Sequence, residues 1–95
     1  MKIIESKYFK KQLRNIVLYI KRDKITASVK FAKELKIQIN DIPNMPKKYR
    51  KSQYYNDENM RDMIYKGYTI IYEIRKNAIE IHDIFKQNLP IQDKQ

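Results

Sequence analysis

The sequence predicts an α+β fold in which a short N-terminal strand and an antiparallel helical hairpin pack on a three- to four-stranded, mainly antiparallel sheet. Two successive segments have apolar residues at helical spacing, and two later segments are rich in β-forming residues. The length of 95 residues suits one domain. We therefore expect a single domain over residues 1–88, followed by a flexible polar tail over residues 89–95.

The N-terminal half supplies the first strand and the first helix. The β-branched pair Ile3 and Ile4 predicts a short strand at residues 2–5. Ser6 is a suitable N-cap for the helix that follows. The apolar stripe of this helix consists of Phe9, Leu13, Ile16, Val17 and Ile20. Its opposite face is basic, with Lys10, Lys11, Arg14, Lys21 and Arg22.

A second helix is predicted over residues 26–41, because apolar residues again recur at helical spacing. Its expected inner stripe consists of Val29, Ala32, Leu35 and Ile39. The helix ends before Pro43 and Pro46, since proline lacks a backbone N–H and restricts the residue before it. Only a few residues separate the two helices, which predicts a helical hairpin.

The C-terminal half supplies the sheet. Residues 44–59 are irregular and can include a strand, and an alternating pattern begins at Met60. Gly67, the only glycine, marks a turn before residues 68–74, which form the strongest strand signal in the chain. A turn at residues 76–77 leads into the partner strand at residues 78–85.

The net charge of +10 is the main signal of function in the composition. It indicates an anionic partner such as nucleic acid, a ribosome or an acidic protein segment, or else a well-solvated lysine-rich surface. The chain has no cysteine, which excludes disulfides and thiolate metal sites. It has no run of about 20 apolar residues and no signal-peptide pattern, so we expect a cytoplasmic protein that does not engage a membrane.

A basic and aromatic cluster between residues 47 and 55 is the first candidate binding site. The residues predicted to bind a target or nucleic acid are Lys47, Lys48, Arg50, Lys51, Tyr54, Tyr55, Arg61 and Lys66. Arginine and lysine neutralise phosphate charge, and tyrosine stacks on bases or fills protein interfaces. The alternative is that these side chains only solubilise the surface and cover the edge of the core.

Catalysis without a metal is the second possibility. Basic side chains can stabilise the charge that develops in phosphodiester cleavage, while a tyrosine or histidine moves protons. The candidates are Arg61, Tyr65, His82 and Lys86. No metal site is expected, because His82 and Asp83 are neighbours in a strand and should point to opposite faces. No cofactor is expected either, since one glycine cannot build a phosphate-binding loop.

The ordered pattern resembles the RelE/ParE superfamily of bacterial toxins from type II toxin–antitoxin pairs. The resemblance runs from Phe9-x3-Leu13-x2-Ile16-x2-Tyr19-Ile20 through Ala32-x2-Leu35, Ile39 and the proline break. Its most specific part is Met60-Arg61-Asp62 followed by the strand that begins at Tyr68, and Ile79-x-Ile81-x2-Ile84 completes it. The resemblance implies two helices on a small antiparallel sheet, and a cognate acidic antitoxin that wraps and neutralises the toxin. The residues expected to contact that antitoxin are Leu13, Val17, Ile20, Val29, Leu35, Tyr68 and Tyr72.

The resemblance leaves two cellular targets open. RelE-like members cleave mRNA on the ribosome, but here Thr69 stands where they commonly have arginine, Lys86-Gln87 ends the last strand without arginine, and no tyrosine follows Tyr72. His82, Lys86 and the basic cluster could substitute for them. ParE-like members inhibit DNA gyrase, and the long hairpin and the Arg61-to-Tyr68 spacing favour this alternative slightly. A nucleic-acid-binding domain outside the toxin class is a third interpretation.

Overall fold

In the computed structural model, which describes residues 1–86, two helices pack on one face of a mixed sheet. The elements in chain order are β1 (Lys2–Glu5), α1 (Lys7–Asp23), α2 (Ile25–Asp41), a 3₁₀ turn (Ile42–Asn44), β2 (Arg50–Lys51), β3 (Met60–Tyr65), β4 (Tyr68–Ile74) and β5 (Ala78–Lys86). Within this range the strand order is β1-β5-β4-β3-β2. Only β1 and β5 pair in parallel, and the other pairs are antiparallel. The predicted α+β fold is confirmed.

The described sheet has five strands, more than the three to four predicted, because the predicted N-terminal strand joins one edge and a two-residue strand joins the other. β1 pairs along β5 between residues 78 and 81, and β2 adds two residues to the other edge beside Asp62 and Arg61. Two-residue strands carry almost no periodic signal in a sequence. The predicted tail over residues 89–95 lies outside the described residues.

Ser6 fixes the start of α1, as predicted. Its Oγ accepts a hydrogen bond from the Phe9 backbone N–H at 3.0 Å and donates one to the His82 carbonyl at 3.1 Å. One hydroxyl therefore caps the helix and ties it to β5. The predicted stripe of α1 faces the sheet: Phe9 is fully buried, and Leu13, Ile16, Val17 and Ile20 pack against the same core.

The inner face of α2 differs from the prediction. The helix buries Ser28, Phe31, Leu35 and Ile39, whereas Val29 is 62% exposed. The assignment of Val29 to the inner stripe is therefore wrong. The physical reason is the size of Phe31, whose ring packs on Tyr65 and Tyr68 with centroid distances of 5.2 and 5.4 Å. Burying this ring turns Val29 towards solvent, because the two positions differ by about 200° around a helix.

The turn between β3 and β4 lies at Lys66 and Gly67, as the glycine predicted. Both residues have positive φ, 48° and 83°, which is the pattern of a two-residue hairpin turn that follows the twist of the strands. The helix-facing side of the sheet forms the main core. On the opposite side, which we call the outer face, Met60, Ile71 and Phe85 form a smaller cluster with Tyr54.

A β-bulge interrupts β5 near its middle. Ile71 of β4 aligns with Asp83, but the next residue, Tyr72, aligns with Ile81. Ile81 and Ile84 consequently both join the main core although they are three residues apart. The bulge brings His82 to the outer face beside Glu73, together with Asp83. The expectation that His82 and Asp83 point to opposite faces is wrong, because a bulge breaks the two-residue alternation.

Candidate interaction surfaces

The positive charge is concentrated on the helical hairpin. Residues 7–41 contain ten lysines and arginines against three acidic residues, a surplus of seven in a chain whose net charge is +10. The sheet is almost neutral by comparison, with five basic and four acidic residues between 60 and 86. The helices therefore carry the part of the described surface that attracts anionic groups most strongly.

The outward side of α2 combines this charge with exposed apolar residues. Ile25, Val29 and Ile37 are each 61–62% exposed. With Lys30 and Lys33 they line a shallow groove of about 540 Å³ along the helix. This combination suits an amphipathic segment with acidic residues at its margins. Of these residues, only Val29 was predicted to contact a partner. Two signals in the sequence point to the rest: the high net charge of residues 7–41, and the spacing of four between Ile25 and Val29.

A second groove lies between α1 and the end of β5 and measures about 470 Å³. Tyr19, which is 66% exposed, stands at one wall. Ile16, Tyr68 and Ile84 contribute to its largely apolar lining, and Lys86 lies over the Tyr68 ring at 5.4 Å. An aromatic and aliphatic surface with one cation at its edge is suited to another protein chain.

The loop with the basic cluster is held by two side chains on the helix-facing side of the sheet. Arg61 donates from Nη1 to the Tyr49 carbonyl at 3.1 Å, and Tyr72 donates its hydroxyl to the Pro46 carbonyl at 2.6 Å. The Tyr49 ring meets the Tyr72 ring edge to face with centroids 6.3 Å apart. Arg61 and Tyr72 are cross-strand neighbours, so one pair of residues anchors the loop at Pro46 and Tyr49.

Arg61 is a structural residue by its geometry. Its side chain is 9% exposed, and it also donates to the Glu58 carbonyl at 3.1 Å and to Glu58 Oε1 at 3.3 Å. Every nitrogen of the guanidinium thus has a partner within the fold. These contacts and the low exposure leave Arg61 little surface through which it could contact a target directly.

The predicted binding cluster is only partly assembled. Lys47, Lys48, Lys51 and Tyr55 are exposed on the loop, and Arg50 pairs with the buried Asp62 at 3.4 Å. Tyr54 instead covers the outer-face cluster, with its ring 5.3 Å from that of Phe85. Lys66 does not join this cluster, because it pairs with Glu34 of α2 at 3.2 Å. That hydrogen bond lowers the pKa of Glu34 and raises the pKa of Lys66.

The four catalytic candidates do not share a cleft. Arg61 and Tyr65 belong to the helix-facing side of β3, His82 lies on the outer face, and Lys86 ends β5. Tyr65 is buried and donates to the Phe31 carbonyl at 3.3 Å, and burial raises its pKa. A general base and a general acid act on the nucleophile and the leaving group of one scissile bond, so side chains on opposite faces of the sheet cannot share this task.

The residues predicted to contact an antitoxin fall into four groups by exposure and position. Val29 is exposed, and Leu13, Val17 and Ile20 are half-buried against the core. Tyr68 is 8% exposed at the α1–β5 groove. Leu35 and Tyr72 are 1% and 0% exposed, so these two side chains belong to the core and present no surface to a partner. The prediction that Leu35 and Tyr72 contact an antitoxin is therefore wrong, because both side chains already pack in the main core.

Comparisons with known proteins agree with this architecture. The chain resembles a solved structure described as the chromosomal ParDE TA system from P. aeruginosa, with a TM-score of 0.72 and 11% identity over 90% of this chain and 95% of that chain. It also resembles the crystal structure of YafQ from E. coli strain BL21(DE3), with a TM-score of 0.52 and 21% identity over 90% and 92%. No curated protein matches the chain.

The fold is that of a RelE/ParE superfamily toxin. The family model described as the ParE toxin of the type II toxin–antitoxin system parDE matches residues 3–88, and the chain belongs to this family. The resemblance drawn from the sequence is thereby confirmed, and so is the class of function, a toxin of a type II toxin–antitoxin system. Neither described helix is long and apolar enough to cross a membrane.

Proposed function

We propose that this chain arrests growth by binding DNA gyrase in the bacterial cytoplasm, and that a cognate acidic antitoxin neutralises it by covering the helical hairpin. The observation that carries the proposal is the surplus of seven positive charges on residues 7–41, beside exposed apolar residues on α2. Membership of the ParE family supports an antitoxin partner and favours gyrase as the target.

Action by binding is favoured over ribonuclease chemistry. The candidates for acid–base catalysis are divided between two faces of the sheet, and all three nitrogens of Arg61 already donate a hydrogen bond inside the fold. A toxin that works by binding needs only a stable, well-positioned surface. The pinned basic loop, with Lys47, Lys48 and Lys51 exposed, offers such a surface to the target.

An antitoxin segment that folds on binding suits the α2 groove. Three apolar side chains at Ile25, Val29 and Ile37 supply area to bury, and Lys30 and Lys33 attract carboxylates. Complementary charge of this kind raises the association rate and sets the register of the bound helix. The stripe runs along one side of α2 for three turns, which matches a helical partner better than a flat one.

Controlled expression in a bacterial host tests the proposed function. We expect growth arrest on induction, loss of DNA supercoiling by purified gyrase when the full chain is added, and intact mRNA. Co-expression of the acidic protein encoded beside the gene should restore growth. Rapid ribosome-dependent mRNA cleavage would transfer the assignment to a ribonuclease. Unimpaired growth, together with tight salt-dependent binding to DNA, would favour a plain nucleic-acid-binding domain instead.

Charge reversal on α2 tests where the antitoxin binds. Lys33→Glu is expected to weaken binding of the antitoxin by about tenfold or more, mainly through a slower association rate, because it places repulsion inside the groove. Val29→Glu is expected to weaken binding further, since it also removes apolar contact. Surface plasmon resonance at two salt concentrations would measure both rates.

The matched control is Lys76→Glu, which makes the same charge change on an exposed residue in the β4–β5 turn. It should alter affinity by less than about threefold, because it lies outside the groove and its effect is screened beyond roughly 10 Å. Equal losses for Lys33→Glu and Lys76→Glu would show that net charge, not the α2 groove, governs the interaction.

A further inference from the structure

We propose that Glu73, Glu80 and His82 form a binding site for a divalent transition-metal ion, such as Zn²⁺, on the outer face of the sheet. One ligand atom from each of these side chains lies within 4.8 Å of the other two. Ligand atoms around a tetrahedral zinc ion are about 3.3 Å apart, given bonds of about 2.0–2.1 Å. Small side-chain rotations therefore suffice to close the site.

The backbone brings these three residues together from two strands. Glu73 and Glu80 are directly aligned in the β4–β5 register. Two carboxylates at aligned cross-strand positions repel each other, so this pairing weakens a sheet unless a cation compensates it. The bulge then places His82 on the same face, where its Nε2 is 2.9 Å from Glu73 Oε1. Strands hold ligands more rigidly than loops do.

The side chains that now pair with these carboxylates can give way to a metal ion. Arg75 pairs with Glu80, but its side chain is 55% exposed and can return to water. The hydrogen bond between His82 and Glu73 already orders the imidazole beside the carboxylate. A doubly charged ion placed among these groups would interact with both carboxylates at once, which neither Arg75 nor His82 does.

The chemistry of the ligand set selects the class of ion. One imidazole and two carboxylates suit Zn²⁺, Co²⁺ or Ni²⁺, whereas copper(I) needs sulfur ligands and Ca²⁺ needs six to eight oxygens. The side chains of Glu73 and His82 are 31% exposed and that of Glu80 is 19% exposed. Solvent therefore reaches the ion, and water can complete its coordination as in open zinc sites.

The test exploits the composition of the chain. His82 is the only histidine and there is no cysteine, so a metal-dependent imidazole signal has one possible source. The full chain, made by cell-free synthesis without a histidine tag, would be titrated with ZnCl₂ by calorimetry and followed by NMR of the imidazole protons. We expect one zinc ion per chain, a shift or broadening of the His82 ring signals, and a higher midpoint of thermal unfolding.

Three variants make the result decisive. His82→Gln and Glu80→Gln should each weaken zinc binding at least tenfold, while circular dichroism checks that they remain folded. Glu34→Gln, which removes a carboxylate on α2 that pairs with Lys66, should leave zinc affinity within about twofold. No saturable binding up to about 1 mM zinc, or binding that survives in both His82→Gln and Glu80→Gln, would overturn the site.

Discussion

Replacing Arg61 with alanine is expected to destabilise the domain by about 2–4 kcal/mol. The substitution removes hydrogen bonds to the Tyr49 and Glu58 carbonyls, and a hydrogen-bonded ion pair with the Glu58 carboxylate. Because the side chain is 9% exposed, water cannot fully replace these contacts. Thermal unfolding should therefore begin at a markedly lower temperature, since each kcal/mol shifts the midpoint by roughly 4–8 °C in a domain of this size.

Two substitutions serve as controls for Arg61. Arg61→Lys keeps the charge and one donor group, so we expect an intermediate loss. Arg75→Ala removes an arginine that is 55% exposed and pairs with Glu80, and should cost less than about 1 kcal/mol. Toxicity should fall with the fraction of folded protein. An Arg61→Ala variant that is as stable as the parent but harmless would instead identify Arg61 as a contact for the target.

Tyr72→Ala is expected to destabilise the domain by about 3–5 kcal/mol, the largest effect predicted for this chain. The Tyr72 ring is fully buried, packs edge to face on Tyr49, and belongs to the main core. Alanine would leave a cavity and would also release the Pro46 carbonyl from its hydrogen bond. Urea unfolding monitored by circular dichroism would measure the loss.

Tyr72→Phe removes only the hydroxyl, so it measures the contribution of the hydroxyl separately from that of the ring. It keeps the packing but leaves the Pro46 carbonyl without its 2.6 Å hydrogen bond, which should cost about 1–2 kcal/mol at neutral pH. A loss as large as that of Tyr72→Ala would mean that the hydroxyl, not the ring, dominates.

The hydroxyl of Tyr72 is also expected to make the stability of the domain fall at alkaline pH. Burial raises the pKa of Tyr72 far above its ordinary value of about 10. The folded state thus keeps the proton after the unfolded state has lost it. The stability contributed by Tyr72 is fully present below about pH 10 and declines as the pH rises towards the folded-state pKa.

As the pH rises above about 10, the free energy of unfolding should therefore fall less for Tyr72→Phe than for the parent. The difference between the two proteins should narrow as pH rises. Burial also raises the pKa of Tyr65, so some alkaline loss will remain in the variant. Parallel slopes for the variant and the parent would show that Tyr72 ionises freely in the folded state.

Arg61 and Tyr72 act on one structure, the loop with the basic cluster. Arg61 holds it at Tyr49 and Tyr72 holds it at Pro46. If that loop contacts the target, both residues influence toxicity without touching the target themselves. We accordingly expect Lys47→Ala or Lys48→Ala to reduce toxicity without changing stability, because both lysines are exposed.

Local sequence determined the elements that depend on residues close together in the chain. The Ser6 cap, the α1 stripe, the Lys66–Gly67 turn and the β4 strand could all be predicted, because each follows from the spacing or backbone preference of a few neighbours. The charge of +10 favoured an anionic partner; the family supports an antitoxin partner, and its acidity stays a prediction. The family pattern rests on the same local features, since it is an ordered set of apolar stripes and strands.

Tertiary structure decided which of several apolar faces became core and which side chains meet. α2 has apolar residues on more than one side, and only packing against Tyr65 and Tyr68 selected Phe31 over Val29. Arg61 holds the loop and is not a surface charge, because it donates to the carbonyl of Tyr49, 12 residues away, and to that of Glu58. The register of β4 and β5 and the one-residue bulge bring Glu73, Glu80 and His82 together. The register and the bulge have no local signature in the sequence, because they depend on which strands pair.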